Sequence, residues 1–325
     1  MEISDNAKIL VTGGCGFIGT NLIHHLLSIP GLQVLNVDKR PAKTTEVQNV
    51  TTTCDICDKD ELFAIVQKFN PDYIIHLAAR TDLDGATLQD YDANITGVEN
   101  VLTAAASLGS LKKILITSSM LVCGPGYAPK DQFDYAPTTV YGQSKVQTEN
   151  IVWANKPTCD WAILRPTSIW GPWFEAPYKN FFDMVMAHKY FHIGRKSCTK
   201  TYGYIGNTVY QIMQILSSPT PDEQNKVFYL GDAPTNIEQW ADEIANELGY
   251  KVHRCPYALL KLAAWGGDVL KLLGVHFPMT SFRLRNMTTN NVVDLTSTNK
   301  LAPNPPFSRI EGVKITLNWM KNRTH

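Results

Sequence analysis

Long runs of any one kind are what this sequence lacks. Its 30 Lys and Arg residues are matched by 30 Asp and Glu, so the formal net charge is zero and neither sign gathers into a block. That balance argues against a nucleic-acid partner. Cysteine is sparse, seven in 325 residues, and the odd, scattered set gives no disulfide framework and fits a reducing compartment. Cys54 and Cys57 form a CxxC, but no second pair or histidine cluster follows at zinc spacing, so no metal site is expected. No apolar run serves as a clean membrane span of about 20 residues. The most apolar window, residues 257–275, places Lys261, Asp268 and Lys271 on one helical face and is interrupted by Gly266 and Gly267. It predicts an amphipathic helix against the core, kinked at those glycines, with peripheral membrane contact as the alternative. The opening MEISDNAK is polar and acidic and lacks the basic patch and apolar core of a signal peptide, so a cytoplasmic location is expected. Internal repeats and low-complexity segments are absent as well.

What is present centres on Lys8 to Gly19, KILVTGGCGFIG. Ile9, Leu10 and Val11 read as a buried parallel strand, and Gly13, Gly16 and Gly19 follow in a GxxGxxG spacing that opens a helix. Missing side chains let backbone approach a pyrophosphate, whose charge the helix N-terminus favours. Gln33 to Val37 reads as the second strand and ends at Asp38, 19 residues beyond Gly19, where a carboxylate accepts hydrogen bonds from an adenosine ribose. Asp38 favours NAD. Lys39 and Arg40 follow at once and can pair with a 2′-phosphate, so NADP remains the alternative.

Further along, Val50 to Thr53 predicts a strand leading to CDICD, and Asp58 stands where it can cap a helix over Lys59 to Phe69. Tyr73 to Leu77 predicts a strand closed by Ala78 and Ala79, with His76 read as a packed strand residue. A helix is expected over Asp92 to Leu108, ended by Gly109, and a strand over Lys113 to Thr117 delivers Ser118 and Ser119 to the carboxyl edge of the sheet. This alternation predicts an α/β fold of the Rossmann type, a doubly wound parallel sheet. Tyr141 and Lys145 lie four apart at the start of a helix, so both project from one face. An ammonium beside a phenol lowers its pKa toward neutrality, and such a pair acts as general base for a hydroxyl while hydride leaves for a nicotinamide. Ser119 would hold the same oxygen.

Taken in order, TGGCGFIG, Asp38, CDICD, HLAA (His76 to Ala79), Asn94 in NITG, SSMLVCG (Ser118 to Gly124), YGQSK and LRPTSIWGP (Leu164 to Pro172) resemble an extended short-chain dehydrogenase/reductase of the NAD-dependent epimerase/dehydratase type. The resemblance implies Tyr141 as acid/base, Lys145 on the nicotinamide ribose, Ser119 on the reacting oxygen, and Gly13, Gly16, Phe17, Ile18 and Gly19 around the diphosphate. It further implies Asp55 and Ile56 beside the adenine, Leu77, Ala78 and Ala79 along the cofactor, and Asn94 ordering the site. A homodimer is implied through the helix bearing Tyr141 and the one beginning near Asp92. The family's 4,6-dehydratases carry an acidic pair after the catalytic hydroxyl. Met120 and Leu121 stand there and cannot transfer a proton, so dehydration by that route is not expected.

The expected organisation is a NAD-binding domain over 1–170 and a smaller, interleaved substrate-binding lobe over 171–325, with a strand at Val227 to Leu230 returning to the main sheet. Asn236 to Leu248 predicts a helix of that lobe. Trp173 to Lys200 carries aromatics with Asn180, Arg195 and Lys200, as a lid over a nucleotide-sugar needs, and surface aromatics packed on the core would read the same. In KTYGYIGN, Lys200 is a candidate for the substrate diphosphate, while Gly206 and Asn207 replace the family's acids. Arg283 and Arg285 are further diphosphate candidates. The function implied is a nucleotide-sugar epimerase or ketoreductase; a 3β-hydroxysteroid-like dehydrogenase and a non-catalytic NAD(P)-binding protein are the alternatives.

Overall fold

In the computed structural model, residues 3–4, 6–176, 178–194, 197–219, 226–272 and 281–322 are described. Seven of the strands among them form one parallel sheet: β1 (Lys8–Thr12), β2 (Gln33–Asp38), β3 (Thr51–Thr53), β4 (Tyr73–His76), β5 (Lys113–Thr117), β6 (Asp160–Pro166) and β11 (Val227–Leu230). Their spatial order is β11-β6-β5-β4-β1-β2-β3, so the winding reverses between β1 and β4. That reversal opens a crevice at the carboxyl ends of the strands, where such sheets bind ligands.

Alternation along each strand feeds two cores. Ile9, Val11, Ile75 and Leu115 face one layer, with α1 (Phe17–Leu27) and α7 (Ile205–Ser217) packed over them. Leu10, Ile74, Ile114 and Ile116 face the other, covered by α3 (Lys59–Phe69), α4 (Thr96–Ala106) and α5 (Val140–Ala154). Burying each such side chain contributes about 1.5–3 kcal/mol, which fixes the register of the sheet. Local signals set the helix ends. Asp58 caps α3 by accepting from the Glu61 amide at 3.1 Å, and Asn70 ends it in the left-handed conformation. The helix expected from Asp92 begins only at Thr96, because Leu88–Asn94 forms a 3₁₀ segment broken at Tyr91, with Ile95 outside helical geometry.

Beyond β6 the chain builds short strand pairs. β7 (Ser168–Trp170) runs parallel to β10 (Tyr202–Tyr204), β8 (Phe191–Ile193) pairs with β13 (His253–Cys255), and β9 (Thr199–Lys200) with β12 (Thr235–Asn236). Helices α6 (Tyr178–Met186), α8 (Ile237–Glu247) and α12 (Arg309–Asn322) surround Trp170, Phe182 and Trp240, and this aromatic cluster is continuous with the α1 side of the main core. α2 (Thr45–Asn49) and α11 (Thr296–Leu301) are minor connections. A satellite core of Ile193, Leu260, Ala264 and Leu284 joins α9 (Tyr257–Leu272) to α10 (Ser281–Thr288). The helix expected over 257–275 runs unbroken through Gly266 and Gly267. No described helix is long and apolar enough to cross a membrane.

Candidate active site

Three segments meet at the crevice. The first is the glycine turn after β1. Gly13 has a φ of +78°, and a Cβ there would stand 2.5 Å from the Ala78 amide nitrogen, so only glycine lets the turn lie against the segment after β4. A Cβ on Gly19 would fall 2.4 Å from the Gly13 carbonyl oxygen, which explains the close seat of α1 on the turn. Gly16 caps α1, leaving the first-turn amides of Phe17 and Ile18 without intrahelical partners at its positive end.

Asp38 closes the turn from β2. Its Oδ2 accepts from the Cys15 amide at 2.9 Å and its Oδ1 from the Arg40 amide at 3.0 Å. Lys39 reaches across the rim and donates to Asp55 Oδ2 at 2.9 Å, while Arg40 Nη2 lies over Gly16. Partial burial opposes ionisation of Asp55, but the Cys57 amide and the Lys39 ammonium outweigh it and hold the carboxyl below its usual range. A cleft of about 490 Å³ runs between Gly13, Asp38, Asp55, Ile56, Ala78 and Ala79, which also brings Arg80 to its wall. A dinucleotide fits this arrangement: a cradle that any Cβ would fill, a helix N-terminus, and a carboxylate at its far end. Burial pushes the thiols of Cys54 and Cys57 up to about 12, and no metal-holding cluster occurs among the described residues. Leu77 follows β4 and donates its amide to Thr12. His76 is buried in the sheet with Nδ1 2.7 Å from Thr12 Oγ1, and burial together with the Lys145 charge pulls it down to about 3.

Ser119 and α5 supply the second and third segments. Ser119 lies two residues beyond β5 and caps the short turn Met120–Val122, its Oγ accepting from the Leu121 amide at 3.1 Å. Thr139 caps α5 through the Gly142 amide at 3.0 Å. A Cβ on Gly142 would lie 2.3 Å from the Leu121 carbonyl oxygen, so that glycine lets α5 press its first turn onto the Ser119 turn. Tyr141 and Lys145 are thereby buried at the carboxyl edge of the sheet, and Ser119 comes beside the Tyr141 hydroxyl.

The electrostatics differ from the expectation. Lys145 was to lower the phenol toward neutrality; instead its ammonium donates to the Thr117 carbonyl at 2.9 Å, and burial governs the phenol. Tyr141 is pushed up to about 12, opposed by the Ser119 hydroxyl and reinforced by the Tyr178 and Tyr91 phenols, so it is protonated at neutral pH. Burial pulls Lys145 down to about 8 against the Glu149 carboxylate.

Asn94 ties the crevice together. Its Oδ1 accepts from the Arg80 amide at 2.9 Å, and its Nδ2 donates to the Arg80 carbonyl and to Ser144 Oγ on α5. Two charged residues not foreseen lie directly behind. Glu149, four residues beyond Lys145, accepts from Ser118 Oγ at 2.6 Å and forms a fully buried pair with Arg165 of β6 at 2.7 Å. Opposite charges in two otherwise core-facing segments were the available signal. Tyr178, also not singled out, donates to Ser168 Oγ at 2.8 Å and lies close enough to act on the Tyr141 phenol.

The substrate candidates are less gathered. Asn180 is exposed on α6, and Lys200 is half-buried in β9, where burial lowers its pKa. Asn207 pins the chain to Asp232 and Phe307. Arg195 lies outside the described residues, and Arg283 and Arg285 have their backbone in α10 but their side chains outside that set.

The sequence profile of the NAD dependent epimerase/dehydratase family matches residues 9–231. A curated relative, the N-acetyl-α-D-glucosaminyl-diphospho-ditrans,octacis-undecaprenol 4-epimerase of Escherichia coli O157:H7, is 27% identical over 97% of this chain and 95% of its own. A 3β-hydroxysteroid dehydrogenase/Δ5→4-isomerase of Mycobacterium tuberculosis is 28% identical over 75% of this chain and 70% of its own. Among solved structures, UDP-glucuronic acid 4-epimerase from Bacillus cereus, in complex with UDP-glucuronic acid and NAD, superposes with a TM-score of 0.73 over 97% of this chain and 99% of that one at 20% identity, a likeness of fold.

Proposed function

Because the chain belongs to the NAD dependent epimerase/dehydratase family, we propose that it inverts one carbinol centre, or reduces one ketone, of a sugar held on a diphosphate carrier, a nucleotide-sugar in the first instance. The observation that carries this is the meeting of buried Ser119, Tyr141 and Lys145 with the glycine cradle at one sheet edge. NAD, when bound, supplies the hydride acceptor and donor. Gly13, Gly16 and the first turn of α1 hold its diphosphate, and Asp38 favours an unsubstituted ribose over a 2′-phosphate. Tyr141 exchanges the proton of the sugar hydroxyl while Ser119 hydrogen-bonds the same oxygen. Lys145, turning from the Thr117 carbonyl to the ribose, brings its charge toward the phenol and favours the phenolate when the proton must leave the sugar. Met120 and Leu121 offer no proton for dehydration.

Epimerisation is the stronger form of the reading, since the relative aligned over nearly the whole chain is a 4-epimerase, while the steroid dehydrogenase aligns over a smaller share. The seven cysteines are unpaired, in keeping with the cytoplasm. A homodimer through α4 and α5 belongs to the same proposal. Mass spectrometry of small molecules released from freshly purified protein is expected to give near-stoichiometric NAD, and Tyr141→Phe is expected to abolish turnover while retaining that NAD. Turnover surviving in Tyr141→Phe refutes the assignment; empty protein that prefers NADPH refutes the role of Asp38.

A further inference from the structure

Three cations stand on the wall of the cofactor cleft, Lys39, Arg40 and Arg80, among the acids Asp38, Asp55, Asp82 and Glu175. Two of the cations are closed into tight pairs. Lys39 donates to Asp55 at 2.9 Å, and Arg80 grips Asp82 through Nε and Nη2 at 2.8 and 2.9 Å. Glu175 is answered by Lys43. Arg40 is held at longer range: its Nε stands 3.6 Å from Asp38 Oδ1, beyond a hydrogen bond, and its side chain is 54% exposed. Among the described residues of this wall, the Arg40 guanidinium is the cation left able to turn to a ligand.

Its place in the cleft selects what it meets. Arg40 Nη2 lies 2.9 Å from the point that a Gly16 Cβ would occupy, over the residue that caps α1. A guanidinium facing a helix N-terminus brings two positive poles together, an arrangement that an anion between them relieves. The Phe17 and Ile18 amides form one side of that space and the planar fork of Arg40 the other, a fork matched to phosphate oxygens.

Asp38 argues against the other phosphate. Its Oδ1 accepts from the Arg40 amide at 3.0 Å and its Oδ2 from the Cys15 amide at 2.9 Å, so the carboxylate stands between the Arg40 backbone and the glycine turn. A 2′-phosphate on a ribose at Asp38 would bring anion to anion, and pairing it with Arg40 would not remove that contact. A diphosphate over Gly16 meets the guanidinium where the helix dipole adds to the attraction.

We infer that Arg40 clamps the cofactor diphosphate against the first turn of α1, and therefore tightens NAD and NADP by the same factor instead of selecting between them. The inference rests on the proposed cofactor reading. The test is equilibrium titration of the full-length protein, cleared of resident nucleotide by charcoal, with NAD, NADP and adenosine, in wild type, Arg40→Met and Arg40→Lys. Arg40→Met is expected to weaken NAD and NADP equally, by at least about tenfold, as the loss of a charge-assisted hydrogen bond requires, with adenosine affinity and the urea midpoint unchanged. Arg40→Lys, which keeps the charge and loses the fork, is expected to recover part of that affinity. A loss confined to NADP overturns the inference and makes Arg40 a 2′-phosphate residue. An equal loss for adenosine overturns it too, because Arg40 then acts through the Asp38 ribose site, and so does unchanged NAD affinity. In each of those cases NAD binding by wild type leaves the proposed function standing. Wild type that binds neither dinucleotide refutes the cofactor reading and the clamp with it.

Discussion

Replacing Arg165 with methionine tests the buried polar pair behind the crevice. The guanidinium is 1% exposed and Glu149 is 0% exposed. Arg165 donates to both Glu149 oxygens, at 2.8 and 2.7 Å, to the Tyr229 hydroxyl at 3.0 Å and to the Gln132 carbonyl at 2.7 Å. Arg165→Met leaves the Glu149 carboxylate with the Ser118 and Tyr135 hydroxyls and the field of Lys145, but without its directly bonded cation. Removing one partner of a buried pair costs about 3–5 kcal/mol, because the desolvated charge that remains has lost its compensation. Glu149→Leu/Arg165→Met removes both charges, so the double variant should be more stable than the two single losses predict by about 2–3 kcal/mol. Urea denaturation of wild type, both single variants and the double variant measures this coupling. A cost below about 1 kcal/mol for Arg165→Met, or additive single effects, refutes the reasoning and makes the pair equivalent to a solvated one.

His76 carries a pH prediction. With a folded pKa of about 3 against an ordinary 6.5, the unfolded chain binds a proton across that window that the native state does not. Stability is therefore insensitive to this group above about pH 6.5 and falls as pH drops below it. Between pH 6.5 and 5 the loss is about 2 kcal/mol. His76→Gln should flatten this part of the urea-midpoint profile, and an unchanged profile in the variant refutes it. Gly13→Ala forces a Cβ against the Ala78 backbone at a positive φ. The substitution should cost roughly 1–3 kcal/mol and strip NAD from the purified protein, read by absorbance after denaturation; full NAD retention contradicts the proposed cradle.

Where local signals and burial agreed, the sequence was readable. Lys59–Phe69 and Lys113–Thr117 have the expected limits, because an Asp58 cap fixes the helix and an uninterrupted apolar run fixes the strand. The glycine turn, Asp38, Ser119 and the Tyr141–Lys145 helix all lie at the carboxyl edge of one sheet for the same reason: each is a short-range motif that follows a strand of a regular parallel sheet. Illegible features depended on distant partners. β9 is two residues long and depends on pairing with Thr235 and Asn236 on one side and Asn291 on the other. The importance of Glu149 required Arg165 on a neighbouring strand, and the expected effect of Lys145 on Tyr141 was overridden by burial and the Thr117 carbonyl, neither visible in spacing. The helix at Thr96 starts late because Tyr91 and Ile95 leave helical geometry, a tertiary choice with no Gly or Pro between those two residues, the nearest signal being Gly97 in the first turn of the helix.

The placement of β11 also sets an order of events during synthesis. This edge strand pairs with β6 through Ile163 to Pro166, yet roughly 60 residues separate them in the chain. At ribosomal rates of about 5–20 residues per second, β6 waits about 3–12 s for its neighbour. During that interval its outer backbone edge is bare, and Arg165 lacks the Tyr229 hydroxyl. The nascent chain thus passes through a stage with a finished glycine turn and an unfinished sheet, open to pairing with other chains. A chaperone acting on this protein would find its main task in those seconds.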